Sequence, residues 1–364
     1  MHKLTFTLKQ HTPLIHFHSE VDASLRATEL KPKLDNFLHA NTEVEKKWKI
    51  NGQDIALDYK LKISSYEVQL KPIKKGDQVP CFFGNMGADY DSSPKYLSMT
   101  KVPVTLQFSS FNHELLITIK KHFPDFIART NFGTRQSKGY GSYYLEQPSD
   151  DRPFREVPHL IIDKREIRDF IDVTNIINYY YQRLKSGINY RHEYQHAFLK
   201  MYLEDKGYRW EKRWLKEKFV GGLETSDDEE RFARAMLGLG GSFSFKPKNR
   251  DRRPGQVYPR QNVDVTVEST HEEIARFKSP ITFKPIAYKT HWKIYIFSES
   301  VSDEIKNRRF KFSDGHGNAH YLNTPSETLD IDDLIAAYHN HLGSTFKASI
   351  YTGQPSYQVK IIKS

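Results

Sequence analysis

Residues 133–141 read G-T-R-Q-S-K-G-Y-G, three glycines with Arg135 and Lys138 among them and Tyr140 between the last two. Glycine reaches positive φ and lets backbone N–H groups close on an anion. Arginine and lysine add charge-assisted contacts to phosphate oxygens. The chemistry on offer is phosphate binding by Gly133, Arg135, Lys138, Gly139, Tyr140 and Gly141. A P-loop needs G-x-x-x-x-G-K-[ST] opening a helix, and neither the spacing nor the Lys-Ser/Thr pair is present. The dinucleotide fingerprint G-x-G-x-x-G after a strand is absent as well. Two readings stand: a loop for nucleic-acid phosphates, or a plain glycine-rich turn.

Other residues also invite a chemical reading. "RHEYQH" (191–196) places His192 and His196 four apart with Glu193 between them. On a helix both imidazoles share a face and can hold zinc, with Glu193 as general base. The H-x-x-G-x-x-H continuation is missing, although Glu204, Glu211 and Glu217 offer carboxylates. We read the segment as a solvated or RNA-facing helix and assign neither metal nor cofactor. His11, His16 and His18 cluster at the first strand, where ordinary strand histidines are the plain reading. "GHGNAHY" (315–321) reads as a turn. Lys246, Lys248, Arg250, Arg252, Arg253 and Arg260, with Tyr258, form the densest cationic stretch. It suits RNA or a neighbouring subunit; the alternative is a solvated loop that orders only on contact.

The elements that must position these groups follow from periodicity. Alternation predicts a strand over 3–17, with Leu4, Phe6 and Leu8 on one face. A helix over 28–40 carries Leu30, Leu34, Phe37 and Leu38 on one stripe, Thr28 as N-cap and Pro32 in its first turn. Strands follow at 55–70 and 102–111 with a loop-rich segment between, then a helix from Glu114 interrupted at Pro124. After the glycine loop "SYYLEQ" closes the unit as a strand, so the order is βαββαβ, the ferredoxin-like arrangement. "PSDDRPFREVP" (148–158) reads as a linker. Beyond it Val173, Ile176, Ile177, Tyr180 and Leu184 mark a helix stopped by Gly187, and more helix is expected through 191–218. Strands return at 262–268, 279–288 and 292–298, a helix holds Ile331 to Leu342, and strands lie at 345–350 and 357–362. The fold class is thus α+β, with two ferredoxin-like (RRM-like) domains, 1–148 and 149–364, the second carrying a helical insertion at about 163–240. "TPLIHF" (12–17) and "SPITFKP" (279–285) form a faint repeat.

The chain has 364 residues, 55 Lys+Arg against 45 Asp+Glu, and a net charge of +10. That excess favours a polyanionic partner, nucleic acid ahead of acidic membrane. Cys81 is the single cysteine, which leaves no disulfide framework and no cysteine metal site. No stretch approaches the roughly 20 apolar residues of a membrane span, and the start lacks a signal-peptide block, so a cytoplasmic protein is expected.

The loop, placed before the last strand of a ferredoxin-like unit, resembles the signature loop of the RAMP superfamily, RNA-binding subunits of CRISPR effector complexes. "TPLIHF" followed by "LRATELKPKLDNFL" is similar to the strand, Thr-Pro and first-helix segment of that family. "MLGLGG" (236–241) and "RFKSPITF" (276–283) resemble segments of the first subunit of the Cmr (type III-B) module. The resemblance implies that Arg26, Thr28 and Lys31, with Lys33 beside them, face RNA. It implies guide RNA, target RNA and other RAMP subunits as partners in antiviral defence, and a non-catalytic role. Because some RAMP relatives cut guide RNA with a histidine, it also leaves an endoribonuclease using His16 or His18 as the alternative.

Overall fold

Leu4, Phe6 and Leu8 build β1 (His2–Gln10), but the strand stops well short of residue 17. Pro13 has no N–H for a ladder, and Leu14–His16 form a separate strand, β2. This computed structural model describes residues 1–16, 24–73, 79, 96–146, 151–190, 193–220, 230–239, 242–245, 262–271, 277–348 and 356–363. Helix α1 (Ala27–Asn41) buries Leu30, Leu34 and Leu38 as its spacing requires. Its N-cap is Arg26, not Thr28, and the cap makes no side-chain hydrogen bond. Pro32 therefore falls in the second turn rather than the first.

The expected strand at 55–70 is two strands, β3 (Lys60–Ser64) and β4 (Val68–Pro72), because Glu67 turns the chain at φ 52°. β5 (Tyr96–Thr100) and β6 (Val104–Ser110) follow. Helix α2 (His113–Arg129) is capped by Asn112 and runs straight through Pro124. The missing proline N–H strands only the carbonyl of Lys120, an exposed residue, and the added turn buries Phe126, Ile127 and Ala128. β7 (Tyr143–Leu145) completes an antiparallel sheet of order β3-β6-β1-β7, with Phe6 opposite Leu106. β2, β5 and β4 form a second, three-stranded sheet.

The stretch read as a linker is anchored: Pro153 and Phe154 are buried in a short 3-10 turn, and Phe154 stacks on Tyr295 at 4.1 Å. β8 (His159–Asp163) and α3 (Phe170–Lys185) follow, with Val173, Ile176, Ile177, Tyr180 and Leu184 all buried. Gly187, at φ 80°, ends the helix as expected. The helix anticipated through 191–218 is instead a hairpin of β9 (Ile188–Tyr190) and β10 (Glu193–Gln195), then α4 (Phe198–Asp205) and α5 (Glu211–Val220). β11 (Ser242–Phe245), β12 (Val263–Ser269), β13 (Ile281–Ala287) and β14 (His291–Ser298) come next. The hairpin of β15 (Arg309–Ser313) and β16 (Ala319–Asn323) was not foreseen; its turn is organised by the Asp314 carboxylate, which accepts from the amides of His316 and Asn318. Helix α6 (Ile331–Leu342), β17 (Thr345–Ala348) and β18 (Tyr357–Ile362) follow.

The chain divides into two compact units. The first holds Met1–Tyr180, Thr282–Phe297 and Leu342–Ser364, and the second holds Tyr181–Ile281 and Ser298–His341. The first unit contains both the sheet around β1 and a five-stranded sheet of order β13-β14-β8-β18-β17. The second unit holds the sheet β11-β12-β15-β16, closed over Phe232, Phe310 and Phe312, and a buried ion pair between Arg234 and Glu211. "TPLIHF" and "SPITFKP" lie in different sheets, on β2 and β13, so the faint repeat does not mark equivalent strands of those sheets. Mixed α and β structure with antiparallel sheets and six α-helices is what the described residues form. Among them no helix is long and apolar enough to cross a membrane.

Candidate nucleic-acid interface

All three glycines of the loop take positive φ: Gly133 at 74°, Gly139 at 84° and Gly141 at 64°. Their neighbours show why no side chain fits. A Cβ on Gly133 would lie 2.7 Å from the Ile15 carbonyl oxygen, and one on Gly139 would lie 2.8 Å from Ile177. A Cβ on Gly141 would fall 2.0 Å from the Phe132 carbonyl oxygen. The glycines are needed for close approach, but to this protein's own backbone and core. The loop amides are also largely spent inside the fold. Gly133 donates to Glu29 Oε1 (2.8 Å), Thr134 to the Ile15 carbonyl (3.0 Å) and Gly141 to the Pro13 carbonyl (2.7 Å). Lys138 and Gly139 donate to the carbonyls of Arg135 and Gln136. These five amides are therefore not part of an open anion nest, and the expected phosphate cradle of backbone N–H groups does not exist at those positions.

Polar side chains that carry no charge stitch the loop in place. Thr12 Oγ1 donates to the Gly139 carbonyl at 2.6 Å and accepts from the Ser142 amide at 3.0 Å. Asn131 Nδ2 reaches the carbonyls of Gln136 (2.7 Å) and Phe283 (2.8 Å), and Ser142 Oγ donates to the Pro285 carbonyl (2.8 Å). The Phe283 amide returns a bond to the Ser137 carbonyl at 3.1 Å. Lys284, fully buried, gives its ammonium to the carbonyls of Thr130 (2.8 Å) and Tyr143 (2.7 Å), the residues flanking the loop. "TPLIHF", the first helix, the glycine loop and β13 thus converge within one unit. Sequence reading named the ends of this web and missed Glu29, Asn131, Ser142 and Lys284, which hold it.

The basic residues of the loop and of the α1 start differ in what surrounds them. Lys33 Nζ bonds Glu29 Oε1 (2.8 Å), Gln136 Oε1 (2.7 Å) and the Asn131 carbonyl (3.2 Å). Lys31 Nζ pairs with Asp35 (2.9 Å), bonds the Leu57 carbonyl (2.7 Å) and lies 3.9 Å from the Tyr59 ring centroid. Lys138 Nζ is buried, 5.8 Å from the Phe283 ring centroid, and Tyr140 is wholly buried. These four side chains are engaged in the fold. Arg26, at the cap of α1, and Arg135, at φ 59° on the loop, are half-buried, and Thr28 is exposed. Lys246, Lys248, Arg250, Arg252 and Arg253 lie outside the described residues.

The histidines resolve differently. His11 is buried, and its Nδ1 accepts from the Ala287 amide at 3.1 Å. Burial first, then the positive charges of Lys284 and Lys9, lower its pKa to about 3. It is neutral at neutral pH and held by backbone, a structural group rather than a general acid. A histidine depressed in the folded state contributes stability that is complete above its ordinary value and lost as pH falls toward the folded value. Relative to His11→Gln, the wild-type chain is expected to lose about 1.4 kcal/mol per pH unit below about pH 6.5. Urea unfolding of both proteins at about pH 7 and pH 5 measures this, and parallel profiles would refute it. The side chain of His16 and all of His18 and His192 lie outside the described residues. Glu193 and His196 are described, but 193–195 is strand β10, so the helical face that the zinc reading requires is absent there. Among the described residues no cluster of His, Cys, Asp or Glu could hold a metal ion.

No curated protein matches the chain. Among solved structures it is similar to "Crystal structure of Cmr1 from Pyrococcus furiosus (apo form)", at 11% identity and a TM-score of 0.42, covering 84% of this chain and 91% of that one. It is also similar to a chain of "Cryo-EM structure of the Type III-B Cmr-beta bound to cognate target RNA", at 13% identity and a TM-score of 0.26, covering 40% of this chain and 58% of that one. The Cmr1 N-terminal domain model matches residues 1–188, and the Cmr1 C-terminal domain model matches residues 194–355. With these two matches in sequence order, the chain belongs to the Cmr1 family, the RAMP-type first subunit of the Cmr (type III-B) CRISPR module.

Proposed function

We propose that the chain is a non-catalytic RNA-binding subunit of a type III-B Cmr ribonucleoprotein, working in the cytoplasm beside other RAMP subunits. It caps the complex near the 3′ end of the guide RNA and helps to hold target RNA for antiviral defence. The observation that carries this reading is the convergence of the α1 start with a pre-organised loop, joined through Glu29 and Lys33, and the half-buried Arg26 and Arg135 belong to those two segments. The net charge of +10 points the same way. The same reading takes the two sheets as two ferredoxin-like copies. β1, β3, β6 and β7 stand in spatial order second-third-first-fourth, and β8, β13, β14 and β18 repeat that order.

The test is RNA affinity of the assembled complex across a salt series, with Arg26→Ala and Arg135→Ala combined. Affinity is expected to fall roughly tenfold for each phosphate deprived of its arginine. The log–log salt slope should become shallower by about 0.7 for each phosphate of single-stranded RNA that is no longer neutralised. Unchanged affinity and slope would remove this surface from the RNA path.

A further inference from the structure

Strand register assigns the two faces of the sheet β3-β6-β1-β7 in the first unit. Residues opposite one another on neighbouring strands share a face, and successive residues alternate. Leu4, Phe108 and Leu61 stand opposite one another, as do Phe6, Leu106 and Ile63. This is the face that α2 covers, with Phe6 stacked on Phe123 at 4.3 Å. The other face carries the rows Lys3–Ser109–Lys60 and Thr5–Gln107–Lys62. All three lysines are exposed, and none has a carboxylate, carbonyl or ring partner among the described residues. At the β7 end the fold closes this face itself: Tyr144, opposite Lys9, is buried beside Phe154, their ring centroids 4.9 Å apart.

The charge on these rows is uncompensated. The four strands hold Lys3, Lys9, Lys60 and Lys62 and no Asp or Glu. Asp58 and Glu146 stand just outside the strands and pair with none of these lysines. Exposed lysines elsewhere do meet carboxylates: Lys47 reaches Glu45 and Glu114, and Lys278 reaches Glu299. At one end of the rows, Met1 and Phe111 lie one residue beyond the His2–Ser110 pair and are 63% and 82% exposed. Phe111 directly precedes the Asn112 cap of α2, yet so exposed a ring gives the helix start none of the burial of a hydrophobic staple. The chemistry selects among occupants. A second copy would set lysine against lysine, and like charges repel. Single-stranded RNA on a sheet is held by aromatics that stack its bases, and neither open row contains one. The Phe111 end of α2 is also separated from the glycine loop by the 17 residues of that helix, about 25 Å. A protein surface with Asp and Glu around an apolar hollow satisfies the lysines by charge and Phe111 by burial.

We propose that the open rows of β3, β6 and β1 dock an acidic protein surface, that of a neighbouring subunit of the assembly. Lys3, Lys60 and Lys62 pair with its carboxylates, and Phe111 seats in an apolar hollow between them. This assignment rests on the reading above that the chain works beside other RAMP subunits, and takes nothing from the roles given to Arg26 and Arg135.

The test assembles the full chain with the other Cmr subunits of its organism and guide RNA, then treats the complex with a carbodiimide. That reagent joins a lysine amine to a carboxylate only where the two touch. Cross-links from Lys3, Lys60 or Lys62 to Asp or Glu of one neighbouring subunit, located by mass spectrometry, are the expected result. Lys3→Glu with Lys62→Glu, and separately Phe111→Ser, should each weaken the affinity of the chain for the other subunits about tenfold, with its melting temperature unchanged. Wild-type chain that assembles while both variants assemble equally well, with no such cross-link, overturns the face alone. Wild-type chain that joins no other subunit defeats the subunit reading and the face together. Carbodiimide links from these lysines to a second copy of the chain, or ultraviolet cross-links from the same rows to RNA, also overturn the assignment.

Discussion

Gly141→Ala is expected to lower the melting temperature by roughly 10 °C, while Gly52→Ala lowers it by only about 2–4 °C. The two glycines share a left-handed backbone, at φ 64° and 79°, so both substitutions carry the same local strain of about 1–2 kcal/mol. Their surroundings differ. At Gly52 an added Cβ meets nothing within 4 Å, whereas at Gly141 it lands 2.0 Å from the Phe132 carbonyl oxygen and 2.9 Å from Leu14. Backbone cannot swing aside as a flexible side chain can. The Phe132 amide is itself bonded to the Gly141 carbonyl at 3.0 Å, and the Gly141 amide holds the Pro13 carbonyl. Relieving the clash therefore breaks at least one of these bonds, for a total on the order of 3 kcal/mol or more. Thermal unfolding followed by circular dichroism measures both variants. Equal shifts would mean that the glycines matter only for φ.

Lys284→Ala is expected to cost about 4 kcal/mol, and Lys284→Met about half as much. The side chain is completely buried and bonds two carbonyls, and burial drives its pKa well below the ordinary lysine value. Alanine removes the volume and orphans the carbonyls of Thr130 and Tyr143. Methionine restores most of the volume, so what remains is the orphaned carbonyls offset by relief from burying an amine. Urea midpoints separate the two contributions. A methionine variant as stable as wild type would show that the two carbonyls do not need the ammonium. In that variant the acid sensitivity of His11 should persist, because burial rather than Lys284 is the larger cause of its low pKa.

Periodicity made the helices around Leu34, Ile119, Ile176 and Leu334 legible, along with the strands at 263–269, 281–287 and 291–298. Proline misled in both directions. Pro13 ends a strand that alternation alone would continue, and Pro124 sits inside a helix it was expected to end, since burial of the next turn outweighs one lost bond. The stretch at 191–218 is helical only in part, and the hairpin at its start has too short a period to register. At the site, the segments that converge were readable as motifs, but their roles were not. A sequence shows that Lys31, Lys33 and Lys138 are charged without showing whether their partners are internal. One signal was available: Lys33 follows Glu29 by four, and Asp35 follows Lys31 by four, the helical spacing that favours pairing within the chain. Nothing local marks Lys284, whose acceptors lie more than a hundred positions earlier.

The position of β8 has a consequence for biogenesis. It lies between β14 and β18, and on the ribosome neither neighbour exists when β8 emerges; the residues of the second unit are made in between. At about 5–20 residues per second, both edges of a strand that will bury Leu160 and Ile162 stay bare on the order of ten seconds. Open edges of apolar strands are templates for wrong pairing. The pairing of β8 therefore waits for chain made long after it. A fragment ending near residue 188, where the N-terminal family match stops, would carry that exposed strand permanently.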